Sequence, residues 1–309
     1  MNLDDIKANK RKIIVTTIKT VGLESVITNF KNILDAIWTN VFKFIKLDSY
    51  KKPRMRTCPG IIASINTLNG INELCEIEDY ADAYLLIRKL RDNLFLDLFL
   101  FEAQKAFEKI PSSSFKDIDF NNIDEVMETL DDFYNQCIKK ETTREELEII
   151  DKWKTGQFLM SNSKDKREYF QFDKYCKYLI SNNKDFDECY SNFLKERFSK
   201  LGLKLNDYTH SNSETVMTLK EKPSIVLNDV KETLNELEHL FLVSLFFVDS
   251  ILFSSEEYED YIESGMNPPQ DSQYWVNGYI LDALQDIKTK NKDLFDFMVS
   301  HNNYFMMID

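Results

Sequence analysis

The fold class is decided by residues 23–45, LESVITNFKNILDAIWTNVFKFI. Apolar side chains recur in this stretch at intervals of three and four residues, which is the spacing of one face of an α-helix. The members of this face are Val26, Ile27, Phe30, Ile33, Leu34, Ile37, Trp38, Val41, Phe42 and Ile45. We therefore expect a long amphipathic helix here, separated by Gly22 from an earlier helix over residues 4–20.

Helical periodicity continues along the chain, and strand-like alternation is scarce. Further helices are expected over residues 60–75, 77–109, 119–139, 143–159, 165–181, 186–204, 224–253, 272–290 and 292–301, and a short extended piece over 214–219. Pro53 and Pro59 mark residues 49–59 as a connection. The predicted fold class is all-α, a multi-helix bundle in which residues 1–56 form a basic N-terminal helical unit and residues 57–309 the main bundle.

Composition supports this prediction. Seven Gly and six Pro in 309 residues are few for a turn-rich β protein or a disordered chain. The five cysteines form no CxxC pair and no signal peptide is visible, so reduced thiols and a cytoplasmic location are expected. The most apolar stretch, residues 240–253, is short for a bilayer span, which favours a buried core helix over membrane insertion.

Charge is unevenly distributed along the chain. The net charge of −13 opposes nucleic-acid binding by the molecule as a whole. Residues 1–56, however, carry twelve Lys and Arg against five acidic residues. This segment is either an ordinary basic face of a helical unit or a surface for RNA or anionic lipid, and the sequence leaves both interpretations open.

His210, one of three histidines, is the first candidate for acid–base chemistry. It ends the polar segment LNDYTH at residues 205–210, and the ordinary pKa of histidine suits proton transfer near neutral pH. If this segment is helical, Asn206 and Asp207 share a face with His210, and Asp207 can orient the imidazole. The alternative is a histidine that interacts with the last carbonyls of a helix C-terminus.

Two arginines on the predicted 77–109 helix are candidates for phosphate binding. Arg88 and Arg91 lie three residues apart on one face of a helix that is otherwise rich in Leu, Ile and Phe. Guanidinium groups grip phosphate with paired hydrogen bonds, so one interpretation is an anion site. The other is an internal salt bridge, from Arg88 to Asp92 or to a carboxylate on a neighbouring helix.

The remaining histidines and motifs indicate no further chemistry. His239 is expected to be a core or boundary residue, and His301 a helix-end residue. The chain contains no HExxH spacing, no glycine-rich phosphate loop and no GxSxG elbow. We accordingly expect neither a metal ion nor a cofactor.

Three segments carry a resemblance to a known family. They are YLLIRKLR at residues 84–91, the polar segment ending in His210-Ser211, and SQYWVNGYI at residues 272–280. Over about residues 60–300 the chain resembles HEPN-type helical domains of bacterial proteins associated with abortive infection or phage defence. The resemblance implies a helical bundle that forms a homodimer and, in active members, a metal-independent ribonuclease.

The family motif is an arginine, four to six residues, then a histidine, usually with a polar residue directly after the arginine. His210 matches the histidine and Asn206 the polar position, whereas the arginine position falls on Leu205. Lys204 lies within the permitted spacing, about 120° around a helix from His210. Arg88 or Arg91 supplies the cation only if its helix faces His210. The alternative to this ribonuclease is a non-catalytic scaffold that dimerises or binds a partner protein.

Overall fold

The computed structural model describes residues 3–48, 58–104, 171–209, 222–248 and 278–301, and these residues are helical with no strand. Their α-helices are α1 Leu3–Val21, α2 Leu23–Asp48, α3 Pro59–Glu76, α4 Tyr80–Gln104, α5 Phe172–Asn182, α6 Lys184–Cys189, α7 Lys195–Thr209, α8 Pro223–Val248, α9 Gly278–Lys290 and α10 Lys292–His301. The predicted all-α, multi-helix fold class is confirmed. The predicted helices at 119–139 and 143–159 and the extended piece at 214–219 lie outside the described residues.

The break between α1 and α2 falls where the sequence predicts it. Gly22 adopts a φ of 79°, a left-handed conformation that glycine tolerates without a steric penalty. The helix over residues 23–45 is α2, and its apolar stripe is buried from Leu23 to Ile37.

The centre of the bundle is formed by α4 and α8. Helix α4 packs against α3, α5, α7 and α8, while α8 also packs against α1, α2, α6 and α7. Every residue of α8 from Leu237 to Phe246 is buried. A helix that is buried on all sides needs apolar residues all round, which explains the apolar composition of this part of α8.

Helices α3 and α4 approach closely at Gly60. A Cβ atom at this position would lie 2.0 Å from the backbone oxygen of Asn93, so only glycine fits. The buried Asp97 carboxylate accepts hydrogen bonds from the backbone N–H groups of Gly60 (3.0 Å) and Ile61 (2.6 Å), at the N-terminus of α3. Burial raises the pKa of Asp97 to about 8, although these two hydrogen bonds act to lower it.

The predicted helix over residues 186–204 is interrupted by a π-helical turn at Tyr190–Leu194 between α6 and α7. Cys189, just before this turn, and Leu194, its last residue, are buried positions five residues apart instead of three or four. The extra residue in the turn keeps both Phe186 and Phe198 in the core. The helix also continues to Thr209, five residues beyond the predicted end.

Helices α1 and α2 of the predicted N-terminal unit pack on the rest of the bundle. Both contact α3 and α8, and α2 also contacts α9. Arg11 pairs with Glu76 at 2.7 Å, Lys10 pairs with Glu78, and the Lys31 ammonium donates to the Asn69 side chain at 2.8 Å. Part of the basic charge of residues 1–56 is therefore used within the chain, while the domain division at residue 56 stays a prediction.

Candidate functional site

Helices α4 and α7 carry the predicted site residues that the structure describes. Tyr84 of α4 stacks on Tyr208 of α7 with ring centroids 3.7 Å apart, and Phe95 meets Phe198 edge-on at 5.3 Å. The two helices are therefore antiparallel. Tyr84, Arg88, Arg91 and Phe95 follow one another at helical spacing on one face of α4. Both arginines thus lie on the face that meets α7.

Lys204 forms an ion pair with an aspartate that the sequence does not predict as its partner. Its ammonium donates to Asp229 Oδ1 of α8 at 2.6 Å, and the Tyr84 hydroxyl donates to Oδ2 of the same carboxylate. Burial, with the hydrogen bond to Asp229, raises the pKa of Tyr84 above its usual range. We call Tyr84, Lys204, Tyr208 and Asp229 the Asp229 clamp, because they tie α4, α7 and α8 together.

Arg91 also has partners within the chain. Only 5% of the residue is exposed, and its guanidinium lies 3.9 Å above the ring of Phe172. Its Nε and Nη2 donate to Asp92 Oδ1 at 2.9 and 2.7 Å. The carboxylate of Asp92 therefore pairs with Arg91, and within the described residues no ion pair joins Arg88 to Asp92.

Arg88 differs from both of these cations. Its Nη1 atom is buried and has no hydrogen-bond partner within the described parts of the chain. A buried N–H group without an acceptor costs about 1–3 kcal/mol, more when it is charged. Of the predicted cations in the described residues, Arg88 is the one with a buried donor nitrogen that has no acceptor.

Asn206 and Asp207 are exposed on the last two turns of α7. Because α7 reaches Thr209, the helical geometry assumed for this segment is present up to that residue. His210 follows Thr209 in sequence and lies outside the described residues. The shared face of Asn206, Asp207 and His210 therefore stays a prediction.

The structure shows a second polar site that the sequence analysis did not select. A cavity of about 310 Å³ opens beside α7, α8 and α9. It is lined, among the described residues, by Arg197, Glu232, Asn235, Glu236, His239, Ile287, Lys290 and Asn291. We call it the His239 cavity.

Two ion-paired groups form its polar wall. Arg197 Nε and Nη2 donate to the two oxygens of Glu236 at 2.7 and 2.8 Å. His239 Nε2 lies 2.7 Å from Asp286 Oδ2, which also accepts from the Lys290 ammonium at 2.8 Å. His239 thereby links α8 to α9.

Burial dominates the electrostatics around His239. Desolvation lowers its pKa, the Lys290 charge lowers it further, and Asp286 opposes both. The neighbouring Glu238 is buried too, and burial with the nearby Asp286 charge raises its pKa to about 8. A neutral imidazole bonded to a carboxylate through Nε2 carries its proton there, which leaves Nδ1 as an acceptor.

The sequence gives little signal for either carboxylate partner. His239 was expected in the core or at its boundary, and it is buried with 6% of its surface exposed. Its partner Asp286 is 47 residues away in sequence, and Tyr84 and Asp229 are 145 apart. No local spacing rule connects such pairs. His301 ends α10, as predicted.

The class of protein defined by these observations is an all-α, multi-helix bundle with two polar clusters. The chain matches no known protein family, no curated protein and no solved structure. Within the described residues, no His, Cys, Asp and Glu side chains form a group of three that could hold a metal ion. No single described helix is long and apolar enough to cross a membrane; by length and composition, one pair bent by 64°, Lys7–Val21 with Leu23–Thr39, passes that test.

Proposed function

We propose that the chain is a HEPN-like protein of a bacterial toxin or phage-defence system. We further propose that the face of α4 that meets α7, here called the α4–α7 face, is an endoribonuclease site. One observation carries this proposal. Arg88 has a buried guanidinium nitrogen without an acceptor among the described residues, and it lies one helical turn from Tyr84. Tyr84 stacks on Tyr208, two residues before His210 in sequence.

The proposed reaction is attack of an RNA 2′-hydroxyl on the adjacent phosphate. His210 takes the proton from the 2′-hydroxyl, the O2′–P bond forms as the P–O5′ bond breaks, and the leaving O5′ takes a proton from water. Arg88 stabilises the negative charge that develops on the phosphate oxygens. The products are a 2′,3′-cyclic phosphate and a 5′-hydroxyl end, and these steps need no metal ion.

The substrate we propose is single-stranded or loop RNA, because side chains rarely read the bases of an RNA duplex. The protein would act as a cytoplasmic homodimer. Basic residues of α1 that are exposed, such as Lys7 and Lys12, would hold phosphates and make binding sensitive to salt.

The test is cleavage of end-labelled RNA by the full chain in EDTA. His210→Ala should lower the cleavage rate by about 10²–10⁴-fold, the usual contribution of a general acid or base. His301→Ala is the matched control, since that histidine ends α10, and it should cleave like the wild type. Equal rates for both variants, or no cleavage by the wild type, would contradict the proposal.

A second candidate function is a non-catalytic scaffold that dimerises or binds a partner protein. This candidate is favoured because two of the predicted phosphate-binding or catalytic cations are already paired within the chain, Lys204 with Asp229 and Arg91 with Asp92. Light scattering and RNA cleavage together separate the candidates. A stable dimer without cleavage in EDTA supports the scaffold, whereas a monomer that cleaves RNA excludes it.

A further inference from the structure

We propose that the His239 cavity binds a phosphate group, either inorganic phosphate or the terminal phosphate of a mononucleotide. This site is separate from the α4–α7 face and does not rest on the proposed ribonuclease activity. Its volume of about 310 Å³ lies at the lower end of the range of small-molecule pockets. The cavity thus suits a ligand no larger than a mononucleotide.

The uncommitted hydrogen-bonding groups of the cavity are mostly donors. Arg197 keeps its Nη1 donors after both oxygens of Glu236 are bound, and Lys290 has three N–H bonds, one of them directed at Asp286. Asn291 accepts from the Leu294 N–H through Oδ1, so its amide N–H groups remain. A ligand that satisfies these groups must be rich in acceptors, as a phosphate is.

The carboxylates of the cavity are largely neutralised. Arg197 binds Glu236, and Asp286 is bound by both His239 and Lys290. Glu232 is paired less closely, with Lys231 at 3.5 Å. Glu232 therefore weakens anion binding without blocking it, and it gives the proposal a variant with a gain of affinity.

His239 adds an observation that itself points to a ligand. The residue is 94% buried, it lines the cavity, and its Nδ1 makes no hydrogen bond within the described part of the chain. When a phosphate enters, its charge favours a second proton on the imidazole. The ring then donates through Nε2 to Asp286 and through Nδ1 to the phosphate.

Charged groups reach His239 from three helices. They are Arg197 on α7, Glu232, Glu236 and Glu238 on α8, and Asp286 and Lys290 on α9. Asn291, which caps α10, adds the positive end of that helix dipole to the rim of the cavity.

The test is titration calorimetry of the full chain with inorganic phosphate, AMP and adenosine. Phosphate or AMP should bind saturably, and adenosine should not. Tighter binding of AMP identifies a nucleotide as the source of the phosphate, and equal or tighter binding of the inorganic ion identifies free phosphate. Adenosine binding as tightly as AMP, or no saturable binding of either phosphate, would overturn the proposal.

Three variants locate the site. Lys290→Gln should weaken phosphate binding by roughly tenfold through loss of a charge-assisted hydrogen bond. Glu232→Gln should strengthen it by about fivefold through loss of a repulsive charge. Lys292→Gln is the matched control, because Lys292 pairs with Asp296 on α10 just as Lys290 pairs with Asp286 on α9. Equal weakening by Lys290→Gln and Lys292→Gln would contradict the site.

Proton uptake gives a second readout. Sulfate keeps its charge as the pH is lowered from neutral, so its affinity should rise as the pH falls and His239, whose pKa burial lowers, is protonated. The imidazole resonances of His239 should shift on sulfate binding. An affinity that does not change with pH, together with unshifted resonances, would rule out contact with His239.

Discussion

The Asp229 clamp and the His239 cavity are built from the same three kinds of group. In each, an aspartate that is 43% exposed accepts from a buried ring and from a lysine: Tyr84 and Lys204 for Asp229, His239 and Lys290 for Asp286. The difference lies in where the lysine comes from. Lys204 reaches Asp229 from another helix, whereas Lys290 lies one turn from Asp286 on α9.

This difference separates a structural tie from a binding site. The Asp229 clamp joins three helices and uses the one hydroxyl of Tyr84. In the His239 cavity, the hydrogen bonds of Asp286 join two helices, leave the imidazole a second nitrogen, and keep a lysine side chain that is 53% exposed. At the α4–α7 face, the donor available to a ligand is therefore on Arg88, which is not a member of the Asp229 clamp. At the cavity it lies within the cluster itself.

Within the described residues, the largest expected effect is at Arg88. Arg88→Gln should lower RNA cleavage by about 10²–10³-fold, the usual cost of removing one preorganised donor to a developing negative charge. The measurement is the single-turnover cleavage rate in EDTA. Lys89→Gln, the loss of an exposed charge on the same turn, is the control and should cleave like the wild type. Equal losses of cleavage rate for the two variants would show that Arg88 is not part of the site.

The second effect compares the two aspartates directly. Asp229→Ala should lower the free energy of unfolding by about 2 kcal/mol, since the buried Tyr84 hydroxyl loses its acceptor. Asp286→Ala should cost only about 1 kcal/mol, because His239 borders a cavity where water can replace the carboxylate. Urea unfolding of both variants measures this difference. A larger loss for Asp286→Ala would reverse the assignment of clamp and binding site.

The third effect is a pH dependence at the cavity. The pKa of Glu238 is raised to about 8 in the folded chain, so folding holds a proton that the unfolded chain releases near its ordinary pKa. Glu238 therefore contributes stability that is lost as pH rises toward about 8. Glu238→Gln should raise the free energy of unfolding by about 1–2 kcal/mol at pH 8 and little at pH 5. Identical pH profiles for the variant and wild type would contradict this.

The smallest effect concerns the two lysines. Lys204→Gln should cost about 1 kcal/mol of stability, because its side chain is 33% exposed and ties two helices. Lys290→Gln should cost less than about 0.5 kcal/mol, as is usual for exposed pairs at i and i+4. Thermal unfolding of both variants tests this order, and a costlier Lys290→Gln would make that lysine structural.

The sequence predicts the helices well and the partners of their polar side chains poorly. Apolar periodicity places α2 to within three residues at its C-terminus, and Pro59 and Gly22 mark helix boundaries because of their own backbone preferences. The π-helical turn at Tyr190–Leu194 escapes this reasoning. One extra residue in a turn does not change the local composition in a recognisable way. The extra residue is required only by the packing of the helices before and after the turn.

The candidate sites show the same limit. Arg88 was selected because a cation on an apolar helix needs a partner, but the same logic proposed Asp92, which instead binds Arg91. Asp229 and Asp286 gave no signal, since each meets its ring partner only through the packing of α8 against another helix. The sequence predicts His239 as a core or boundary residue, and burial alone does not show that it borders a cavity.

The most direct test of the proposed ribonuclease is the chemistry of its product ends. The full chain should cleave single-stranded RNA in EDTA and leave 2′,3′-cyclic phosphate and 5′-hydroxyl termini, which mass spectrometry distinguishes. The same RNA with a 2′-deoxy substitution at the cleaved position should stay intact, because it lacks the attacking hydroxyl. Cleavage of the deoxy substrate, or 3′-hydroxyl and 5′-phosphate ends, would contradict the proposed attack by the 2′-hydroxyl.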